Sequence, residues 1–301
     1  MNRRQLLMAT GATIGASIFG APAVALTRIA PPDVYYVNGV AVRHYRPTRH
    51  LRQWSKARSD RPVIIMVHGG AHAGWVFERH AAYFACNGWD CHVIDWYHHG
   101  LSDPLSLDAF IARSITDVRT EIGLVVDALP QRSDYVVIGQ SMGGLASLYA
   151  AQSLNPAALV LVTPVVSAEV GAAPIPIPID MTQPFAVPPF NIAKGMFYST
   201  MSDAEAQVYY QLLQPESPQA VWEATRWTVS VNLDRIRTPT MTVAAEADTL
   251  TPPDVIRQLG TMLRSRHVEW PGMGHCDVLL KERDWLPVAQ DIERWLCAST
   301  H

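Results

Sequence analysis

Ser141 stands in Gly139-Gln140-Ser141-Met142-Gly143, with glycines two positions before it and two after. An apolar, β-branched run precedes this stretch, and small, helix-compatible residues follow it. By itself the pattern also describes a small residue in a tight turn. Between a buried strand and a helix it describes a sharp turn that lifts the serine above the strand ends. The free N–H groups of the new helix then face developing negative charge.

A neutral serine hydroxyl needs a base to take its proton, and that base needs a group to orient it. Of eleven histidines, His275 in "WPGMGHCDVLL" follows the last predicted strand in a glycine-flanked loop. The carboxylate is sought between Ser141 and His275, after another strand. "TMTVAAEADTLTPPD" offers Asp248, and Glu246 two positions earlier. Asp248 lies further into the loop and is preferred, because Glu246 still belongs to the strand. Either carboxylate would otherwise be a helix-start or surface group.

Charge that develops on a carbonyl oxygen requires two fixed donors. The N–H of Met142 is one. The second is expected from "VHGGAHAGW", where Gly70 is favoured and Ala71 is the alternative. His68 reads as a loop-shaping residue. Ala71 and His72 are candidates for the substrate pocket. A metal set from His92, His98 and His99 lacks a carboxylate placed by spacing, so no metal or cofactor is expected.

These residues need elements to carry them. "VYYVNGVAVRHYRP" predicts a hairpin around Asn38-Gly39. "PVIIMVHGG", "CHVIDW", "YVVIGQS", "ALVLVTPV", "TMTVAAEAD" and "HVEWPG" read as strands, several of them apolar enough for burial on both faces. Helical segments are predicted from about Trp75 to Asn87, from Leu107 to Leu129 as one long amphipathic run, and over "GGLASLYAAQSL". Strands alternating with helices imply right-handed crossovers and a mostly parallel sheet covered on both sides, an α/β fold.

The alternation fails between about 167 and 233, which predicts an insertion between two strands that lies over the site as a lid. "GAAPIPIPIDMTQPFAVPPFNIAKG" is too proline-rich for a central strand or a regular helix. The "PIPIPI" stretch is extended, either a surface loop or a pocket wall. Farther on, "DAEAQVYYQLL" and "AVWEATRW" look helical. Met181, Phe185, Phe190, Met196, Phe197, Tyr198 and Trp222 would suit an apolar or aromatic substrate group; Phe185, Phe197 and Trp222 are carried forward as substrate-binding candidates.

The motifs "HGGAHAGW", "DWYHHGLSD", "GQSMGG", "AEADTLTPP" and "GMGHCDV", in this order, resemble the α/β-hydrolase superfamily over nearly the whole chain after its N-terminal segment. The resemblance implies an eight-stranded, mostly parallel sheet, a lid after strand six and a Ser141/Asp248/His275 triad. "HGGAHAGWVFE" with "VYYQLLQPES" is further similar to the small-substrate esterase and hydroxynitrile-lyase-like branch. One departure stands out. The family often has Gly-His-Gly where this chain has His98-His99-Gly100, so the local turn is expected to differ.

The 301 residues, 49% hydrophobic and 17% charged, suffice for one sizeable core. A formal charge of −3 and no long basic run exclude a nucleic-acid partner. "MNRRQLLMATGATIGASIFGAPAVALT" combines Arg3 and Arg4, an apolar stretch from Leu6 to Phe19 and Ala23-Val24-Ala25. It reads as an export signal over 1–25, ahead of one hydrolase domain over 26–301. Its adjacent arginines resemble a twin-arginine signal, although Asn2 and Met8 depart from the usual flanks. The expectation is export to the periplasm or beyond by the twin-arginine machinery, with no stable membrane insertion after cleavage. Cys86, Cys91, Cys276 and Cys297 leave the disulfide pairing open.

The expected activity is hydrolysis of a small-molecule carboxylic ester through an acyl-enzyme, with an apolar or aromatic substrate of small to medium size. Other triad chemistry on the same fold is the alternative: amide, lactone or carbon–carbon bond hydrolysis, lyase action or peracid formation. A non-catalytic binding role is a third reading, and its usual mark, a missing triad member, is not seen.

Overall fold

The computed structural model describes residues 31–48, 61–130 and 134–300. The export-signal reading therefore lies outside the described residues. One eight-stranded sheet has the order β1-β2-β4-β3-β5-β6-β7-β8. β1 (Asp33–Val37) and β2 (Val40–Tyr45) form the antiparallel hairpin; Asn38 and Gly39 both take positive φ, as the two-residue turn demands. β2 joins β4 (Cys91–Ile94) antiparallel, and every later pairing is parallel.

The central strands β3 (Val63–Val67), β5 (Tyr135–Gln140), β6 (Ala158–Val162) and β7 (Thr240–Ala245) are buried almost throughout, which is why they read as apolar runs rather than alternations. β8 (Arg266–Trp270) closes the far edge and is half-exposed. Alternate residues feed two cores: Met66, Ile138 and Val160 lie on one face, Ile65, Val137 and Leu159 on the other. Helix α1 (Glu78–Cys86) covers the first face, joined there by α10 (Trp285–Ser299). α3 (Val118–Ala128) and α4 (Met142–Leu154) cover the second.

The single helix expected over Leu107–Leu129 is instead broken. α2 (Leu107–Ile111) ends before Arg113, and Ser114 with Asp117 forms a capping box that restarts the chain into α3. Ser114 Oγ and the Ile115 N–H both reach Glu223, so contacts with the insertion hold the break open.

Between β6 and β7 the chain carries α5 (Phe190–Phe197), α6 (Asp203–Tyr210) and α7 (Pro218–Arg226). α5 departs from the expectation of no regular helix there, for it begins directly after Pro188-Pro189, where a missing N–H costs nothing. α8 (Pro253–Met262) and the short α9 (Asp277–Leu280) complete the fold. Among the described residues no helix is long and apolar enough to cross a membrane, and all four cysteines are free thiols.

Candidate active site

Ser141 is the residue between β5 and α4, with φ 55° and ψ −123°. That backbone conformation is costly for a residue with a Cβ. It is held from both sides: the Ser141 N–H donates to Val162 O at 3.1 Å, and Ser141 O accepts from Val165 N–H at 3.0 Å. The helix that follows lies against β3 so closely that a Cβ on Gly143 would stand 2.2 Å from the His68 carbonyl oxygen and 2.4 Å from that of Val67. No side chain caps α4, so its first N–H groups are turned to the site.

One strand away, Thr163 at the end of β6 donates its hydroxyl to His275 O at 3.0 Å. His275, in the β8–α9 loop, is buried, with Nδ1 2.8 Å from Asp248 Oδ2. Asp248 is fixed in turn: Oδ1 accepts the N–H groups of Leu250 and Thr251 at 2.9 and 3.0 Å, and Oδ2 accepts the Thr251 hydroxyl at 2.8 Å. A carboxylate so placed holds the proton on Nδ1 and leaves Nε2 as the basic nitrogen. His275 Nε2 is buried with no hydrogen-bond partner among the described residues. Glu246 is elsewhere, exposed at the end of β7, where it accepts the Gly272 N–H at 2.8 Å.

Gly70 and Met142 meet: a Cβ on Gly70 would stand 2.4 Å from Met142 Sδ. Ala71, the alternative donor, has its N–H taken by Glu216 Oε2 at 2.8 Å. Sequence reasoning missed Glu216. It is 2% exposed, accepts the Ser217 N–H at 2.7 Å and lies 3.1 Å from His99 Nε2. Burial disfavours both charges, yet the mutual attraction prevails, raising the His99 pKa and, with the backbone donors, lowering that of Glu216. The neighbouring Gln214 adds two ties, its N–H to Ala71 O at 2.9 Å and its Oε1 from Gly100 N–H at 2.7 Å. The only local hint of this segment is Ser217-Pro218, a helix start.

An apolar cavity opens at Ser141, Met142, Gly70 and Ala71. Its walls come from the insertion, with Phe185, Met196, Phe197, Val221 and Trp227 among them. Ile175 and Ile177 also line it, so the "PIPIPI" stretch is a pocket wall; Ile175 N–H donates to Thr225 O at 2.8 Å, and Arg226 holds the Ile177 carbonyl at 3.1 Å. Two substrate-binding candidates do not reach it. His72 is buried behind the loop, its Nδ1 2.7 Å from Gly70 O and its Nε2 3.0 Å from the Tyr198 hydroxyl; burial lowers its pKa to about 4. Trp222 is 41% exposed on α7 and stacks on Arg226. Of the other aromatics and methionines, Met181 is exposed, Phe190 packs on Tyr210 and Tyr198 is buried against Tyr209.

The other histidines singled out in the sequence also have definite places. His68 is buried, bonded through Nδ1 to Gly69 O and accepting the Trp96 N–H at Nε2, an arrangement that shapes the loop. His98 takes φ 71°, so the turn expected to differ keeps a glycine-like backbone, supported by stacking on Phe110 at 3.8 Å and by Leu105 N–H donating to His98 Nδ1. Among the described residues His92 groups with His44 and Asp90, not with His98 and His99. Cys276 is fully buried, and burial pushes its thiol up, away from the reactive thiolate.

The chain matches the Alpha/beta hydrolase family over residues 64–290. It belongs to that family. No curated protein sequence matches this hydrolase-family chain. Among solved structures it is similar to a membrane phospholipase A described as a bacterial virulence factor, at 15% identity and TM-score 0.66, covering 98% of this chain and 96% of that one. It is similar to a thermophilic esterase from Thermogutta terrifontis at 14% identity and TM-score 0.61, covering 91% and 100%. Est1E from Butyrivibrio proteoclasticus, with ferulic acid bound, is similar at 17% identity and TM-score 0.59, covering 89% and 98%. At these identities the likeness is one of fold.

Proposed function

We propose that this α/β-hydrolase cleaves carboxylic esters through an acyl-enzyme formed on Ser141. His275 Nε2 takes the hydroxyl proton as Ser141 Oγ attacks the ester carbonyl, and Asp248 stabilises the imidazolium that forms. The N–H groups of Gly70 and Met142 hold the oxyanion. The same imidazolium then protonates the departing alcohol. In the second half-reaction water, deprotonated by His275, releases the acid.

The observation that carries this reading is the left-handed Ser141 lining an apolar cavity, with the His275–Asp248 pair on the loops after β8 and β7 and tied to the end of the neighbouring β6 through Thr163. The cavity walls suit an apolar or aromatic acyl or alcohol group of small to medium size. The insertion acts as a lid that shapes this pocket. We further propose that 1–25 is a twin-arginine export signal; mass spectrometry of the periplasmic form should then find Leu26 at its start, and an intact Met1 there would refute cleavage.

The test of the activity is a panel of p-nitrophenyl esters of increasing chain length, with matched amides and lactones. Wild type should turn over esters fastest and Ser141→Ala should not. Faster turnover of amides or lactones would reassign the bond.

A further inference from the structure

Outside the cavity, the structure brings together a second set of reactive side chains at the opposite end of the strands. His44 lies on β2 and His92 on β4, directly opposite one another in the antiparallel register. Their rings stack at 4.3 Å and 17°, which puts both on one face of the sheet. Asp90 immediately precedes β4. Its Oδ1 is 2.5 Å from His44 Nε2 and 3.6 Å from His92 Nε2.

We propose that His44, Asp90 and His92 bind a divalent transition-metal ion of the zinc class. Ligand atoms at bonding distance from a tetrahedral ion stand about 3.4 Å from each other. The Asp90–His92 separation already meets that spacing; to admit an ion the Asp90–His44 contact opens by less than about 1 Å and the stacked His44 ring tilts so that its Nε2 lone pair meets that of His92 at the metal. The donor atoms of the three residues all lie within 4.8 Å of one another. Two imidazoles and one carboxylate select zinc, nickel or copper over magnesium and calcium, and water completes the shell.

A second feature favours a ligand set over a plain imidazole–carboxylate pair. The Tyr35 hydroxyl on β1 lies 2.7 Å from His92 Nδ1. A metal-binding imidazole holds its second ring nitrogen in such a hydrogen bond, which fixes the tautomer and aims the other nitrogen at the metal. With Nδ1–H donated to the phenol, the Nε2 lone pair faces Asp90. Tyr35 also stands edge-on to both imidazole rings, at 84° and 81°. The ion would tie the hairpin edge of the sheet to β4.

The test uses the full chain, stripped with chelator and titrated with zinc chloride by calorimetry, with cobalt as a spectroscopic probe. Wild type should bind one zinc at micromolar affinity or tighter and give the visible bands of tetrahedral cobalt. Asp90→Asn and His92→Ala should each weaken zinc at least about tenfold and abolish the bands, and Tyr35→Phe should weaken it less. Ester hydrolysis by Asp90→Asn should equal that of wild type. Circular dichroism shows which variants fold, and Asp90, at the sheet margin, is the variant expected to be silent for folding. Wild type that binds no zinc, or folded Asp90→Asn that binds it as tightly as wild type, would overturn the proposal.

Discussion

Glu216 accepts the N–H of Ala71 at 2.8 Å, so a carboxylate from the insertion ends one residue from the proposed oxyanion donor Gly70. The same side chain faces His99 in the loop after β4. The loop after β3, which borders the cavity, and the loop after β4 are thus fastened to one buried anion carried by the insertion. Hinging this segment away would leave the buried His99 imidazolium without its counter-ion, which is expensive. Motion of the insertion is therefore expected in its other parts.

Removing that charge tests the fastening. Glu216→Gln keeps an oxygen for Ala71 but leaves a charged His99 without its counter-ion, and breaking a buried pair costs about 3–5 kcal/mol. We expect denaturant unfolding to register a loss at the lower end of that range. In steady-state kinetics kcat should fall more than KM rises, since the effect is on the oxyanion loop. A change confined to KM would assign Glu216 to substrate binding instead.

The same pair predicts a pH dependence of stability. Glu216 is lowered, so its contribution is present above the ordinary glutamate value and lost as pH falls through its folded value. His99 is raised, so its contribution is present below the ordinary histidine value and lost as pH rises through its folded value. Denaturation midpoints measured across pH should therefore be highest between the ordinary glutamate and histidine values. In Glu216→Gln the alkaline decline attributable to His99 should disappear.

Strain at Ser141 predicts an opposition between stability and activity. Ser141→Gly removes the Cβ that makes φ 55° costly, whereas Ser141→Ala keeps it. Both should lose hydrolysis, but thermal unfolding should show the glycine variant more stable than the alanine variant by about 1 kcal/mol. Equal stability would mean that the turn is not strained.

Substitution distinguishes Asp248 from Glu246. Asp248→Asn should lower kcat by about 10³–10⁴-fold, because the imidazole loses the partner that fixes its tautomer. Glu246→Gln should leave kcat unchanged. The reverse result would move the acid to Glu246.

The cavity wall predicts chain-length selectivity. Phe185→Ala should shift the optimum of the ester panel towards longer acyl groups, and Trp222→Ala should leave the profile as it is. A shift from Trp222→Ala would mean that α7 turns its exposed face to the substrate.

What is legible in the sequence is what chain neighbours decide. The apolar run to Gln140, the glycine-flanked turn and the small residues of α4 are contiguous, and the Asn38-Gly39 hairpin is as local. The parallel sheet follows from the alternation of such segments. The break at Ser114 is less visible, because apolar periodicity continues across it; the signal that reveals it is the Ser114–Asp117 capping box. His98 keeps a left-handed turn through Phe110, a partner twelve residues away that a glycine pattern does not anticipate.

Relationships that depend on register or on the return of the insertion are hidden. Glu216 meets Ala71 across 145 residues with no local motif. His72 and Trp222 have the residue types of a pocket but the wrong facing, which only the packing of Tyr198 and Arg226 reveals. His44 and His92 become neighbours only when β2 pairs with β4.

The most direct measurement of the central claim is labelling with a fluorophosphonate followed by intact-mass and peptide mass spectrometry. Wild type should gain one adduct, on the peptide that contains Ser141, and folded Ser141→Ala should gain none. Folded wild type that stays unlabelled, or that carries the adduct on another residue, would contradict a nucleophilic Ser141.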